Sequence, residues 1–283
     1  MEKQLEPLLI AAIAKRSTDI HIQIDDHRSS VMFRSLKGLI DYPVSSDLAD
    51  LYEFCKYKAN LDLSMNMIPQ TGSFEFVIRK HKYHLRFSAI ETYYSRSGVL
   101  RILNLHKADR IRDLTSQDVD AEFEKLSMFQ YGLILFSGST GSGKSTTMFT
   151  WLKSLIHRRI YTIEDPIEQI FEKFMQVQVN GRQGLSFDEA VFQLLRHDPD
   201  IIVIGEIRGS LEAKAAIRSA YSGHLVVATI HSATTRLTIQ RLMDFGVSES
   251  DISQVLCAVV HQQLCVSSDK KGRGALFDFA FHK

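Results

Sequence analysis

The sequence of 283 residues has few cysteines and no long apolar run. Its cysteines are Cys55, Cys257 and Cys265, and their spacing gives neither a disulfide framework nor a zinc site. No apolar stretch approaches the roughly 18 residues needed to cross a bilayer, and no basic N-terminal segment precedes an apolar core. We therefore expect buried, small apolar cysteines in a cytoplasmic protein whose membrane association is peripheral and occurs only through partners.

The sequence also lacks an excess of charge of either sign. Its formal net charge is +1, and 24% of the residues are charged. A motor that moves along single-stranded nucleic acid is expected to line its groove with basic and aromatic residues. Because no lysine or arginine stripe is visible, we expect no direct sequence-specific nucleic-acid binding. A RecA-like nucleic-acid motor such as a helicase is therefore the weaker alternative.

Residues 138–145 form a G-x-x-x-x-G-K-S motif between an apolar run at 131–136 and a segment of helical composition at 145–157. This strand, loop and helix context is the one that a phosphate-binding loop requires. Glycines let backbone N–H groups turn toward a β-phosphate, Lys144 reaches the β- and γ-phosphates, and the Ser145 hydroxyl can bind Mg²⁺. The residues expected to contact the nucleotide are Gly138, Ser139, Thr140, Gly141, Ser142, Gly143, Lys144, Ser145 and Thr146.

The pattern of the first 105 residues predicts a small α+β domain with a mostly antiparallel sheet. Leu5, Leu8, Leu9 and Ala12 recur at helical spacing within residues 2–16. A second helix is predicted at 47–59. Strands are predicted around 20–24, 31–34, 74–78, 83–88 and 99–103. The polar segment 106–120 is predicted to be a linker across which the two domains can move.

Residues 121–283 alternate between strands and helices, which predicts a doubly wound α/β domain with a mostly parallel sheet. The predicted strands are 131–136, 160–163, 175–179, 201–204 and 225–230. Helices are predicted to begin at caps formed by Ser186, Ser210 and Ser248. In such a fold the ligand binds at the carboxyl ends of the strands.

Two of these strands end in carboxylates, and a third ends in a histidine. Glu164 follows the strand at 160–163, and Glu206 follows the strand at 201–204. A phosphate-binding loop needs such acids to hold Mg²⁺ and to orient or deprotonate the attacking water. His231 ends the strand at 225–230 on the same edge, so we expect it to sense the nucleotide. His224 lies at the opposite end of that strand, where a structural role is favoured.

Four of these segments occur in the order and spacing of a known family. They are GSTGSGKSTT (138–147), IEDPIE (163–168), LLRHDPDIIVIGEIR (194–208) and SGHLVVATIH (222–231). The series resembles the Walker A, Asp-box, Walker B and His-box motifs of the secretion and type IV pilus traffic ATPases. The N-terminal half adds four shorter matches to that family: STDIHI (17–22), PQTG (69–72), LRFS (85–88) and LRIL (100–103).

The resemblance implies a role for each matching residue. Lys144 and Ser145 would bind phosphate and Mg²⁺, Glu164 would act as general base, and Glu206 would act on Mg²⁺ or its waters. Arg86 and Arg101 match arginines of the N-terminal domain that reach nucleotide phosphate in this family when the two domains close. The resemblance also implies ATP as substrate, a RecA-like ATPase domain and a PAS-like N-terminal domain.

The sequence departs from the family pattern at three places. PQTG lacks an arginine, Gly209 replaces an aspartate, and HQQL (261–264) lacks another arginine. Zinc-binding C-x-x-C pairs and the C-terminal motif of retraction ATPases are absent from the sequence, and we expect no long extra N-terminal domain of the kind that many pilus-assembly members carry. These features point to the compact competence type within the family.

That type implies a hexameric ATPase at the inner face of the cell membrane. It would act on a membrane platform protein and, through it, on pilin-like subunits of a competence pseudopilus for DNA uptake. A type II secretion or type IV pilus assembly ATPase is the alternative within the family. A nucleotide-binding regulatory scaffold with little turnover is the alternative from another class.

Overall fold

A computed structural model describes residues 2–25, 29–35, 38–44, 48–64, 67–103, 108–179, 185–266 and 273–283. The chain divides into two compact units. The first comprises Met1–Lys107 and Glu168–Ile170, and the second comprises Ala108–Ile167 and Phe171–Lys283. No helix within the described ranges is both long and apolar enough to cross a membrane.

In the described part of the first unit, six strands form one antiparallel sheet in the order β3-β2-β1-β6-β5-β4. The strands are β1 Asp19–Asp25, β2 Ser29–Ser35, β3 Gly38–Tyr42, β4 Gln70–Ile78, β5 His81–Glu91 and β6 Ser95–Ile102. The helices are α1 Glu2–Ala14 and α2 Leu48–Lys58. The predicted α+β organisation with an antiparallel sheet is confirmed for these residues.

Period-two alternation decides which face of this sheet is buried. Ile20 and Ile22 of β1 are fully buried, whereas the intervening His21 lies on the other face. Leu5 and Leu9 of α1 join the same apolar core. β3 was not predicted, because the short segment Gly-Leu-Ile-Asp-Tyr has no fully buried residue and shows no apolar run.

In the described part of the second unit, seven strands form one sheet in the order β13-β12-β7-β11-β10-β8-β9. They are β7 Gly132–Gly138, β8 Ile160–Glu164, β9 Met175–Gln178, β10 Ile201–Ile207, β11 Leu225–His231, β12 Leu256–Val266 and β13 Arg273–Phe281. The helices are α3 Asp120–Met128, α4 Lys144–Leu152, α5 Phe187–Leu194, α6 Ser210–Tyr221, α7 Thr235–Asp244 and α8 Glu249–Val255. Only the β12–β13 pairing within this described sheet is antiparallel.

Both faces of this sheet carry helices. Ile134 and Phe136 of β7 pack into a core with α3 and α4, and Leu133 and Leu135 pack into a second core with α6 and α8. A strand covered on both faces is apolar at every position, which is why β7 is visible in the sequence as a continuous run. The predicted α/β fold with a mostly parallel sheet is confirmed.

Several predicted boundaries in the second unit were wrong. The helix expected over 145–157 begins at Lys144, ends at Leu152 and continues as a 3₁₀ turn, Lys153–Leu155. Ser210 is the first helical residue and not the cap. The cap is Gly209, whose N–H donates to the Glu212 carboxylate over 3.0 Å. Strands β12 and β13 and helices α3 and α7 were not predicted.

Residues 108–120, assigned from sequence to a linker, lie within the second unit. The backbone N–H of Ala275 donates to the Leu114 carbonyl over 2.7 Å. The Gln117 side chain accepts from the N–H of Phe277 over 2.6 Å and donates to its carbonyl over 3.3 Å. These contacts satisfy backbone groups of β13, which is an edge strand of the described sheet. Residues 106 and 107 lie outside the described residues.

Two of the three cysteines, Cys55 and Cys257, are buried as expected, and Cys265 is half-buried. Burial raises the pKa of the Cys55 thiol to about 12. All three cysteines are free thiols.

Candidate active site

The loop between β7 and α4 has the backbone conformation that its glycines permit. Gly138, Gly141 and Gly143 have φ values of +150°, +75° and +87°. A Cβ atom at Gly138 would lie 2.3 Å from the Gln262 carbonyl oxygen, so a side chain cannot be accommodated there. Gly143 is the N-cap of α4, so the unpaired N–H groups of the first helical turn follow directly after the loop. This conformation suits an anion held at a helix N-terminus.

Lys144 is nearly buried at the start of α4, with 6% of its surface exposed. Its ammonium group donates to the Ser139 carbonyl over 2.9 Å and lies 3.4 Å from Nδ1 of His231. The lysine therefore reaches back across its own loop toward the end of β11. Ser145 and Thr146 follow it in the first turn and are half-buried.

His231 joins the lysine to a carboxylate. Its Nε2 lies 2.5 Å from Oε1 of Glu206. An ammonium group only donates and a carboxylate only accepts, so a neutral His231 accepts at Nδ1 and donates at Nε2. The other oxygen of Glu206, Oε2, accepts from Nε of Arg208 over 2.7 Å, and this hydrogen bond raises the pKa of the Arg208 guanidinium. Three strand ends thus meet in one chain of polar contacts.

Glu164 lies on the neighbouring strand and is 4% exposed. Its Oε1 accepts from the Thr162 hydroxyl over 2.8 Å and from Nε2 of Gln176 over 2.9 Å. A Cβ atom added to Gly205 would lie 3.1 Å from Cγ of Glu164. The glycine before Glu206 therefore lets the two acidic strand ends lie side by side.

Strand β12 flanks the other side of the loop. The fully buried Gln262 donates from Nε2 to the Ser142 carbonyl over 2.6 Å. The neighbouring His261 lies 3.1 Å from the hydroxyl of Ser137, the residue that precedes the loop. Burial lowers the pKa of the His261 imidazole, and Lys144 lowers it further, against an upward effect of Asp278.

The residues around the loop fit a magnesium–nucleotide substrate. Ser142 Oγ and Thr147 Oγ1 are buried without a hydrogen-bond partner among the described residues. Ser145 and Glu206 supply a hydroxyl and a carboxylate, the hard oxygen ligands that Mg²⁺ prefers. Mg²⁺ in nucleotide sites is held by one or two protein ligands together with substrate phosphates. The described residues contain no cluster of three or more His, Cys, Asp or Glu side chains able to hold a metal without substrate.

Arg86 and Arg101 belong to the first unit and face each other across β5 and β6. Arg101 donates from Nε to Asp19 over 2.6 Å. Nη1 of Arg86 is buried and has no hydrogen-bond partner among the described residues. Burial, followed by the charge of Arg101, lowers the pKa of Arg86.

His224 precedes β11 at the edge of the sheet away from the loop. Its Nδ1 lies 3.0 Å from the Ser222 hydroxyl, and its carbonyl accepts from Gly132 N–H.

Among the side chains that touch the predicted site residues, sequence reasoning missed three neutral polar ones: Thr162, Gln176 and Gln262. Each is a neutral polar residue within a strand, where side chains of this type carry no motif of their own. The register of the sheet brings them in, because Thr162 pairs with Gln176 across β8 and β9. Gln262 lies within the HQQL segment, which from the sequence stood out only for a missing arginine.

The site has the geometry of a phosphate-binding loop at the carboxyl edge of a mostly parallel sheet: Lys144 of the loop contacts His231, which contacts Glu206, and Glu164 ends the neighbouring strand. The sequence profile of the family described as "Type II/IV secretion system protein" matches residues 1–279. The chain belongs to this family.

Individual relatives agree with that assignment. The chain is 31% identical over 270 residues to the competence protein ComGA of Bacillus subtilis strain 168, covering 93% of this chain and 76% of that protein. It is 34% identical over 271 residues to the type IV pilus assembly ATPase PilB of Thermus thermophilus, covering 93% of this chain and 30% of PilB. The crystal structure of the pilus retraction motor PilT with bound ADP superposes with a TM-score of 0.77 at 27% identity, covering 97% of this chain and 82% of PilT.

Proposed function

We propose that the chain is the ATP-hydrolysing subunit of a hexameric motor that drives assembly of a type IV pilus-like competence pseudopilus for DNA uptake. The observation that carries the catalytic part is the contact series from Lys144 through His231 to Glu206. The similarity to ComGA supports the competence assignment, and the similarity to PilB and PilT supports ATP hydrolysis. In this proposal the second unit is RecA-like and the first unit is PAS-like.

Each site residue has a proposed chemical task. The loop backbone and Lys144 bind the β- and γ-phosphates, and Lys144 neutralises charge that grows during phosphoryl transfer. Glu164 accepts the proton of the attacking water as general base. His231 senses the γ-phosphate, because its Nδ1 already faces the lysine that would bind this group.

Mg²⁺ would be held by the Ser145 hydroxyl, with Glu206 acting directly or through waters. The bound ion would neutralise negative charge on the phosphate oxygens. Oε1 of Glu206 contacts His231 and Oε2 contacts Arg208, so Mg²⁺ or its waters would share this carboxylate with both side chains.

Arg86 and Arg101 are proposed to act as arginine fingers from the N-terminal domain, taken as residues 1–105. They would neutralise transition-state charge when the domain closes on the ATPase domain, taken as residues 121–283. The buried Nη1 of Arg86, which lacks a hydrogen-bond partner among the described residues, supports this role because it is a free donor. Arg101 is held by Asp19, so its release would accompany closure.

The motor is proposed to lie in the cytoplasm at the inner face of the membrane. Its partners would be a membrane platform protein and, through it, pilin-like subunits, with no direct sequence-specific nucleic-acid binding. Assembly of a type IV pilus is the second candidate machine, supported by the similarity to PilB.

The test of the catalytic proposal is the ATPase rate of the purified chain with Lys144→Ala and with Glu206→Gln. We expect each substitution to lower the rate at least about 100-fold, because each removes charge stabilisation in the transition state. Lys214→Ala, an exposed lysine on α6, is the matched control and should keep the wild-type rate. Wild-type rates in both site variants would overturn the proposal. Nucleotide binding without hydrolysis by the unmodified chain would support the regulatory scaffold instead.

The machine is identified in the source organism by introducing Lys144→Ala at the native locus. Uptake of added DNA, protein secretion and surface piliation are then scored together. Loss of uptake alone supports the competence motor. Normal uptake with lost piliation assigns the ATPase to a type IV pilus, and normal uptake with lost secretion assigns it to a type II secretion system.

A further inference from the structure

The carboxylate of Glu164 is held by two donors that converge on one oxygen. The Thr162 hydroxyl lies 2.8 Å from Oε1, and Nε2 of Gln176 lies 2.9 Å from the same atom. Thr162 is fully buried, and Glu164 is 4% exposed. A buried carboxylate with two fixed donors has a defined orientation, and each donor favours its charged form.

The orientation of the Gln176 amide is fixed by its other partner. Oε1 of Gln176 accepts from the backbone N–H of Phe171 over 2.8 Å. A backbone N–H can only donate, so the oxygen of this amide must face Phe171 and the nitrogen must face Glu164. Gln176 therefore presents a donor, and not an acceptor, to the carboxylate.

The contact to Phe171 lies where the chain re-enters the second unit. The chain leaves this unit after Ile167 and returns at Phe171. Oε1 of Gln178, two residues along β9, accepts from the N–H of Ile167 over 3.3 Å. Gln178 and Gln176 of β9 therefore contact the backbone on either side of residues 168–170. The amide of Gln176 also donates to the Glu164 side chain.

We propose that Gln176 is a positioning residue for Glu164: its amide aims the carboxylate at the attacking water and couples that aim to the backbone at Phe171. Thr162 is the second support of the same oxygen. This inference rests on the proposed role of Glu164 as general base. It assigns to β9, an edge strand of the described sheet, a part in the chemistry at the neighbouring strand end.

Three variants of this sheet separate two effects: orientation of the Glu164 carboxylate by a hydrogen-bond donor, and attachment to β9 of the backbone that flanks residues 168–170, here called the tether. Gln176→Met removes both the donor to Glu164 and the tether to Phe171. Thr162→Val removes a donor to Glu164 and no tether. Gln178→Met removes a tether and no donor to Glu164. The measurements are ATPase kcat and KM, the Kd for a fluorescent ATP analogue, and the dependence of kcat on pH.

We expect Gln176→Met and Thr162→Val each to lower kcat about tenfold with nucleotide Kd unchanged within about twofold, since only the water-activating group is disturbed. The acidic limb of the pH–rate profile should move to higher pH in both, because each loses a donor that favours the charged carboxylate. Gln178→Met should keep the wild-type kcat and profile.

The inference would be overturned if Gln176→Met and Gln178→Met lost kcat equally and the acidic limb of the pH–rate profile did not move. Gln176 would then act only by holding the backbone at Phe171, as Gln178 holds Ile167, and not by orienting Glu164. Glu164→Gln separates this failure from failure of the proposed function. If Glu164→Gln abolishes turnover while Gln176→Met does not affect it, only the positioning role is wrong. If Glu164→Gln and Lys144→Ala both retain turnover, the proposed function itself is wrong.

Discussion

Gln262 contacts the loop between β7 and α4 from the side: its Nε2 donates to the Ser142 carbonyl over 2.6 Å. Its own backbone carbonyl lies against Gly138, where an added Cβ atom would approach to 2.3 Å. One residue of β12 therefore contacts the loop near both of its ends. The loop conformation depends on a strand that lies more than 100 residues later in the sequence.

Gln262→Leu is expected to weaken nucleotide binding about tenfold, because the loop loses the hydrogen bond that fixes Ser142 before ligand arrives. Leucine keeps most of the buried volume, so the loss of affinity should exceed the loss of stability. Titration with a fluorescent nucleotide measures the affinity. Gln263→Leu, on the opposite face of the same strand, is the control and should bind normally. Equal affinities in the two variants would show that the Gln262 hydrogen bond has no effect on binding.

Gly138 and Gly141 should respond differently to an added methyl group. Both have positive φ, so alanine at either site is strained by about 1–2 kcal/mol. Gly138→Ala would in addition force Cβ onto the Gln262 carbonyl, whereas a Cβ at Gly141 meets no atom within 4 Å. We expect Gly138→Ala to lower the melting temperature several degrees more than Gly141→Ala. Similar melting temperatures for the two variants would contradict the clash at Gly138.

The sequence was sufficient to predict the strands that are buried on both faces and the residues at their ends. Residues 131–136 and 201–204 are apolar runs, and Glu206 and His231 follow directly from where such runs stop. Sequence reasoning placed Glu206 and His231 at the same edge of the sheet, and the 2.5 Å separation of their side chains is consistent with that placement.

Other features depend on which strands pair and in which register, so they could not be predicted from local sequence patterns. β12 begins with buried residues but continues through His261, Gln262 and Gln263, whose polar side chains hide the strand from a pattern search. His261 and Gln262 are buried because they satisfy groups on β7 and the loop. Gln176 was missed for the same reason, since its partners are set by β8 pairing with β9. Within the segment predicted to be a linker, the Gln117 side chain pairs with Phe277 of β13, and no local sequence pattern signals this contact.

The first unit contains a buried ion pair whose removal should be costly. Lys56 lies 2.7 Å from Glu91, and the two side chains are 1% and 7% exposed. Lys56→Met would leave Glu91 buried beside the more distant Arg96, 3.7 Å away, and we expect a loss of about 3 kcal/mol in unfolding free energy. Lys56→Met with Glu91→Met should recover at least half of this loss, because neither charge then stays buried.

Denaturant unfolding of these variants measures the effect. Lys58→Met on the same helix breaks a more exposed pair with Glu2, whose side chains are 32% and 66% exposed, and we expect a loss below about 0.5 kcal/mol. A double variant less stable than Lys56→Met alone would show that the pair itself, and not the buried charge, stabilises the unit.

Acid should destabilise the β12 side of the site through His261. The pKa of His261 is lowered in the folded chain, so the unfolded chain binds more protons at pH values below about 6.5. Stability should therefore fall as the pH drops below that value, and stop falling from this source below the folded pKa. Facing groups are Ser137 on β7, Asp278 on β13 and Lys144 at the loop. Protonation would also place a positive imidazolium near the Lys144 ammonium.

His261→Gln removes the titrating group and should flatten the decline of the melting temperature between about pH 7.5 and 5.5. His282→Gln, at the exposed C-terminal end, should keep the wild-type slope. Burial also lowers the pKa of His21, so His21 likewise destabilises the folded chain in acid. This contribution is present in wild type and in His261→Gln alike, so the difference between their slopes reports His261. An NMR titration of the His261 ring should give a pKa below about 6.5. A slope in His261→Gln equal to that of the wild type would mean that protonation of this ring does not limit stability in acid.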